Sequence, residues 1–191
     1  MTAMAVQGGG LLERAASQLL VVDIQVKLIP TIHAVEAMVA RARFVIDAAS
    51  ALGVPITLTE QYPKGLGPTD PELRLACGEE AAVFAKTAFS CLKDEAISTH
   101  LAADASRKQL VVVGMEAHVC VLQTALDAVS AGYQVFVVGD AISSRAVTDV
   151  EAAKLRMAAS GVTVVSSEMV FFEWLERSGT PEFKQLSPML R

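Results

Sequence analysis

Cysteine is scarce: the 191 residues contain only Cys77, Cys91 and Cys120. An odd number without Cys-x-x-Cys or Cys/His ligand spacing argues against a disulfide framework and against a zinc site, so a reducing cytoplasm is the expected compartment. Positive charge is also short, with 16 Lys and Arg against 21 Asp and Glu and a net charge of -5. A chain that tracks nucleic-acid phosphates displays a basic face, so small molecules are the expected partners and nucleic acid is not. No unbroken apolar run reaches the roughly 20 residues that a spanning helix needs, so no membrane partner is expected either. The start lacks the positive charge and apolar block of a secretory signal. With Gly8, Gly9 and Gly10 in it, the segment 1–17 reads as a loose extension ahead of one domain over 18–191.

What the chain has in quantity is apolar character. Hydrophobic residues make up 52% of it, enough at this length to bury one substantial core. The apolar residues gather in short β-rich runs at Leu19 to Asp23, Pro55 to Thr59, Val83 to Ala85, Leu110 to Val113, Val135 to Val138 and Val162 to Val165. Helical periods separate them, which predicts an α/β domain with a doubly wound six-stranded parallel sheet, order 3-2-1-4-5-6, covered by helices on both faces.

Val35, Met38, Val39, Ala42, Val45, Ile46 and Ala49 recur at helical spacing and Gly53 closes that segment. A second helix is predicted over Ala117 to Ala131, followed by Gly132, and Thr148 with Glu151 has the spacing of a capping box for a third. The stretch from Glu60 to about Asp70, with Pro63, Gly65, Gly67 and Pro68, is the longest without periodicity. It reads as a binding loop at the carboxyl end of a strand.

In open α/β sheets ligands bind beyond the carboxyl ends of the strands, where strand order reverses. Asp23, Lys86 and Cys120 each fall at or just past such an end. Taken singly each has a bland reading: Asp23 as a backbone cap, Lys86 as a solvated lysine, Cys120 as a buried core thiol. For Cys120 a place in the first turn of a helix adds a reason for reactivity, because the unpaired N–H groups there lower a thiol pKa and stabilise an oxyanion.

The strings LLVVDIQVKLIP, TEQYPKGLGPTD, FAKTAFSC, VVVGMEAHVCVLQTALDAVSAGYQVFVVGDAISSR and SSEMVFFEWL, spread in order from Leu19 to Leu175, resemble the isochorismatase-like cysteine hydrolases. The resemblance is strongest to the isochorismatase domain-containing group. It implies a catalytic triad of Asp23, Lys86 and Cys120, a cis peptide between Met115 and Glu116, and an oxyanion hole made by the backbone N–H groups of Glu116 and Cys120. The implied activity is metal-independent hydrolysis of a C–N bond in a small metabolite through a thioester. Nicotinamidases of the superfamily carry an Asp-x-His metal motif where this chain has Thr59, Glu60, Gln61 and Tyr62, so no metal and no cofactor are expected. Isochorismatases proper lack the nucleophilic cysteine, so acyl chemistry is expected ahead of vinyl-ether hydrolysis.

Around this triad, Gln61, Tyr62, Phe89 and His118 are candidates for substrate binding, with loop, core and structural roles as their respective alternatives. Arg145 is expected to pair with Asp149 at i+4. His33 and His100 read as incidental residues on helices. Val170, Phe171, Phe172 and Trp174 form an apolar cluster that, with the resemblance, points to a homo-oligomer. Two rival readings stay open: a catalytically silent binding protein that keeps the fold, and a redox-responsive protein in which Cys91 resolves an oxidised Cys120.

Overall fold

The computed structural model describes residues 10–190. Six parallel strands, β1 (Ser17–Val22), β2 (Ile56–Gln61), β3 (Ala82–Lys86), β4 (Gln109–Met115), β5 (Gln134–Ser143) and β6 (Thr163–Val165), pair in the order β3-β2-β1-β4-β5-β6. The helices are α1 (Val35–Leu52), α2 (Pro63–Leu66), α3 (Pro71–Ala76), α4 (Glu95–Ala102), α5 (Leu122–Ser130), α6 (Val147–Ala159), α7 (Ser167–Leu175) and α8 (Pro181–Leu186). Among the described residues no helix is long and apolar enough to cross a membrane.

Alternation along the central strands divides the core in two. Leu19, Val21, Val111, Val113, Phe136 and Val138 face one side, where α1 and α7 supply Ala42, Val45, Ile46, Val170, Phe171 and Trp174. Leu20, Val22, Leu110, Val112, Val135 and Val137 face the other, against Ile97, Leu101, Leu122, Ala125, Ala153 and Met157 from α4, α5 and α6. Strands buried on both faces read as continuous apolar runs, which is why these were visible in the sequence. Each large side chain taken fully from water contributes about 1.5–3 kcal/mol toward offsetting chain entropy.

Several expectations are corrected. Residues 12–17 are not loose: Leu12 is 2% exposed within the core, its N–H donates to Glu173 Oε2 at 2.7 Å, and Ser17 opens β1. Residues 1–9 of the expected extension lie outside the described residues. Glu60 and Gln61 belong to β2 and Pro63–Leu66 form the short helix α2, so the stretch to Asp70 is not structureless; α3 begins just after it. Asp70 caps α3 by accepting from the N–H groups of Glu72 and Leu73.

The Thr148–Glu151 pair caps nothing. Ala146 is the N-cap of α6, without a side-chain cap bond, and Thr148 already lies inside the helix. His33 sits in the turn before α1 rather than on a helix. Val170, Phe171 and Trp174 are at most 1% exposed and belong to the core, leaving Phe172 at 47%. Indole burial here is completed by a bond from Trp174 Nε1 to Ser17 Oγ at 3.0 Å.

Candidate active site

The order reversal lies between β1 and its neighbours β2 and β4, and the chemistry gathers at their carboxyl ends. Asp23 follows β1 with φ 53°, in the left-handed region that Asp tolerates better than most non-glycine residues. Its N–H donates to Thr59 O at 3.1 Å and its carbonyl accepts from the N–H of Gln25 at 2.9 Å. The carboxylate is thereby turned into the protein, where the residue is fully buried.

Lys86, the last residue of β3, is 2% exposed. Its Nζ donates to Asp23 Oδ2 and to Gln61 Oε1, both at 2.7 Å, with the carbonyls of Phe89 at 3.2 Å and Ala88 at 3.3 Å completing the shell. Burial pulls this ammonium toward deprotonation, but the Asp23 charge, the nearby Cys91 and Cys120 and the direct bond to Asp23 outweigh it. The net result is a lysine held above its ordinary value.

Cys120 comes from the far side of β1. Gly114, the penultimate residue of β4, has φ 124°, and a Cβ built there would clash with the backbone oxygen of Val22. Only glycine lets β4 approach the end of β1 so closely. The Met115–Glu116 peptide that follows is cis.

Residues Ala117–Val121 then form one π-helical turn ahead of α5, with Glu116 O accepting from the N–H groups of Val119 and Val121. The expected single helix from Ala117 is thus a π-turn followed by α5, which starts at Leu122. Cys120 is 6% exposed. Burial pushes its thiol up, the Asp23 charge pushes it further, and Lys86 opposes them incompletely. The expectation of a lowered thiol pKa is overturned, because desolvation and the adjacent carboxylate dominate.

The candidate binding residues separate. Gln61 is committed to the lysine: its Oε1 accepts from Lys86, its Nε2 donates to Thr87 O at 2.8 Å. Tyr62 and Phe89 are 56% and 52% exposed, and Tyr62 lines a cleft of about 350 Å³ beside Lys86 together with Lys64, Thr87 and Asp94. A cleft of about 470 Å³ near Val54, Cys77 and His100 opens instead at the amino ends of β2 and β3, away from the strand ends that carry chemistry.

His118 turns from Cys120 toward the end of β5 and the start of α6, with Nδ1 2.9 Å from Ser144 Oγ and Nε2 3.9 Å from Asp149 Oδ2. Arg145 pairs with Glu116, Nε to Oε2 at 2.9 Å, and not with Asp149, since a strand-end arginine does not share a helical face with the first turn of α6. His100 contacts Thr57 Oγ1 at 3.1 Å and the Phe84 ring. Among the described residues no group of three or more His, Cys, Asp or Glu side chains is gathered to hold a metal ion. Glu60 accepts from the N–H and hydroxyl of Thr69.

With this geometry in place, comparison with known proteins gives a consistent answer. The isochorismatase-domain family profile matches residues 17–169. The chain belongs to the isochorismatase family. It is 37% identical over 183 residues to isochorismatase domain-containing protein 2 of Danio rerio, covering 96% of this chain and 91% of that protein. The structure described as Mar1 ribonuclease from Caenorhabditis elegans superposes with a TM-score of 0.89 at 36% identity, covering 95% of this chain and 92% of that one. The YcaC gene product of Escherichia coli, described as an octameric hydrolase of unknown specificity, shares the fold with a TM-score of 0.88 at 24% identity, over 95% and 91% of the respective chains.

Sequence reasoning missed several members of this isochorismatase-family site. Thr59 Oγ1 donates to Asp23 Oδ1 at 2.7 Å, and the Cys91 thiol lies 3.8 Å from Thr59 Oγ1. Gln25, fully buried, bonds Gln61 through its Nε2 to Gln61 O and through its Oε1 to Gln61 N–H, and also reaches Gly67 O at 2.6 Å. It therefore clamps β2 and the α2 segment to the end of β1. The usable signal was parity: Thr59 and Gln61 lie two apart on one strand, so both side chains leave the same face.

Proposed function

We propose that this chain is a cysteine hydrolase that cleaves an amide-like C–N bond of a small metabolite through a thioester on Cys120. The observation that carries the reading is the buried Asp23 carboxylate, ion-paired at 2.7 Å with Lys86 and near enough to Cys120 for its charge to hold that thiol up. A thiol that rests protonated beside a carboxylate needs that carboxylate as its base at the moment of attack.

In the proposed sequence Asp23 accepts the thiol proton as sulfur attacks the substrate carbonyl carbon. The carbonyl π electrons move onto oxygen, where the backbone N–H groups of Glu116 and Cys120 form the oxyanion hole. Collapse re-forms the carbonyl and breaks the C–N bond, with Asp23 returning the proton to the departing nitrogen. Water then attacks the thioester, giving its proton to the same carboxylate. The sulfur leaves, recovers a proton, and the acid departs. Lys86, surrounded by four acceptors, stays a fixed positive charge throughout. Tyr62 and Phe89 are the proposed walls for the substrate, and His118, in the π-turn itself, a more distant one.

Homo-oligomerisation and a cytoplasmic location belong to the same reading. Exposed Phe172 and Met169 on α7 support an assembly surface, to be checked by light scattering. The hydrolase itself is tested by incubating the protein with a pool of small amides and reading the mass added to the Cys120 peptide. An acyl adduct that forms in wild type and accumulates when hydrolysis is slowed supports the reading. Turnover that survives Cys120→Ala refutes it.

A further inference from the structure

We propose that Thr59 is a positioning residue that fixes which face of the Asp23 carboxylate meets the Cys120 thiol, with Cys91 setting the direction of the Thr59 hydroxyl. This rests on the cysteine-hydrolase reading and adds to it two residues which that chemistry does not itself require.

An ionised carboxylate can only accept hydrogen bonds, so the Thr59 proton, 2.7 Å away by its oxygen, must point at Asp23 Oδ1. The Thr59 oxygen is then left as an acceptor. Cys91 supplies the donor, its sulfur 3.8 Å away. Fully buried Cys91 keeps its proton because burial pushes its thiol up. Cys91 is itself held by its backbone N–H, which donates to buried Thr124 Oγ1 at 2.9 Å. A directed chain thus runs from Cys91 through Thr59 to Asp23 Oδ1, while Lys86 occupies Oδ2.

The consequence is rotational. With one bond on each oxygen, the carboxylate cannot turn about its Cβ–Cγ axis without breaking both. Backbone pairing anchors the donor as well, since Val22 and Thr59 are register partners across β1 and β2. The charged and titratable groups that face the carboxylate are Lys86 from β3, Cys91 from the turn after it and Cys120 from the π-turn. Thr59 is the neutral hydroxyl among them. It holds Oδ1 without competing for the thiol's place.

The test uses 4-nitrophenyl acetate as an acylating probe, read across acid to neutral pH by the burst of released 4-nitrophenol at a wavelength where its two protonation states absorb equally, and by acetylation of the Cys120 peptide. Thr59→Val keeps the shape and loses the donor; Thr59→Ser keeps the donor and loses the methyl. Expected is a wild-type acid limb in Thr59→Ser and a limb moved to higher pH by about one unit in Thr59→Val, which is about a tenfold lower rate on that limb. A wild-type profile in Thr59→Val, or equal impairment in both variants, overturns the positioning role.

Should Thr59→Val fail to fold, Cys91→Ala serves in its place. It should move the limb in the same direction by less, through weaker polarisation of the hydroxyl, and an unmoved limb overturns the chain. Cys120→Ala separates the two levels of the argument. A burst that persists in it sinks the hydrolase reading together with this proposal, whereas a burst that vanishes there but is unchanged in Thr59→Val sinks this proposal alone.

Discussion

Lys86 Nζ and Asp23 Oδ2 stand 2.7 Å apart with side chains 0% and 1% exposed, making a fully buried ion pair at the meeting point of β1 and β3's neighbour β2. Desolvating two charges costs several kcal/mol each, so such pairs contribute little net stability compared with apolar replacements. A pair that stabilises the fold so weakly, in the crevice where strand order reverses, is better understood by the chemistry it enables.

Removing one partner should therefore hurt more than removing both. Lys86→Met leaves the Asp23 charge buried and is expected to destabilise the protein by about 3–5 kcal/mol and to abolish turnover. Asp23→Asn combined with Lys86→Met should recover a large part of that stability and none of the turnover. Denaturant melts of Lys86→Met, Asp23→Asn and the double variant check this as a double-mutant cycle. Additive stabilities would show that the two groups do not act as a pair.

The pair also predicts an alkaline limit. Lys86 is raised above its unfolded value by Asp23 despite the opposing effect of burial. A raised lysine contributes stability fully present below its unfolded pKa, about 10.4, and lost as pH rises through the higher folded value. The wild-type stability difference from the double variant should be flat through neutral pH and shrink only in strong alkali. A decline that begins near neutral pH would count against the raised lysine.

The sheet was legible because strands covered on both faces are written as short unbroken apolar runs, such as Leu19–Val22 and Leu110–Val113, and because Gly53 and Gly132 mark helix ends. Asp23, Lys86 and Cys120 were legible as reactive residue types at strand ends. What the sequence hid was the third-dimensional detail: Asp23 is turned inward by a positive φ, and Gly114 admits the end of β1 at backbone contact. Thr59 and Gln25 carry no chemical signature of their own. Their roles come from distances across strands that only register can supply. The thiol's direction of shift was misread for a similar reason, since the helix start was visible but the depth of burial and the facing carboxylate were not.

Some structural relatives bear the name ribonuclease, including the Caenorhabditis elegans protein at 36% identity. For this chain, with its net charge of -5, RNA is not the expected substrate, because phosphate-backbone affinity depends on neutralising basic contacts. Purified protein should leave a labelled single-stranded RNA intact at low salt, where electrostatic binding is strongest. Cleavage by wild type that disappears in Cys120→Ala would instead assign RNA chemistry to this site.

The resting state of Cys120 gives the last prediction. Burial, then the Asp23 charge, holds this thiol protonated well above the ordinary cysteine range, with Lys86 only partly opposing them. Carbamidomethylation of Cys120 by iodoacetamide on folded protein should then be slow at neutral pH and rise about tenfold for each pH unit, since the thiolate is the nucleophile. Cys77, raised to about 11, follows the same slope, and fully buried Cys91 stays protected until denaturant is added.

Substitutions at Cys120's two charged neighbours should move its labelling in opposite directions. Lys86→Met removes the one group that favours the thiolate and slows labelling. Asp23→Asn removes a negative charge that opposes it and accelerates labelling, while the same change abolishes turnover for want of a base. Site-resolved peptide mass spectrometry over a pH series measures all of this. Labelling of Cys120 that is already at its plateau at neutral pH would mean a resting thiolate, and the role of Asp23 as the base that takes the thiol proton would have to be abandoned.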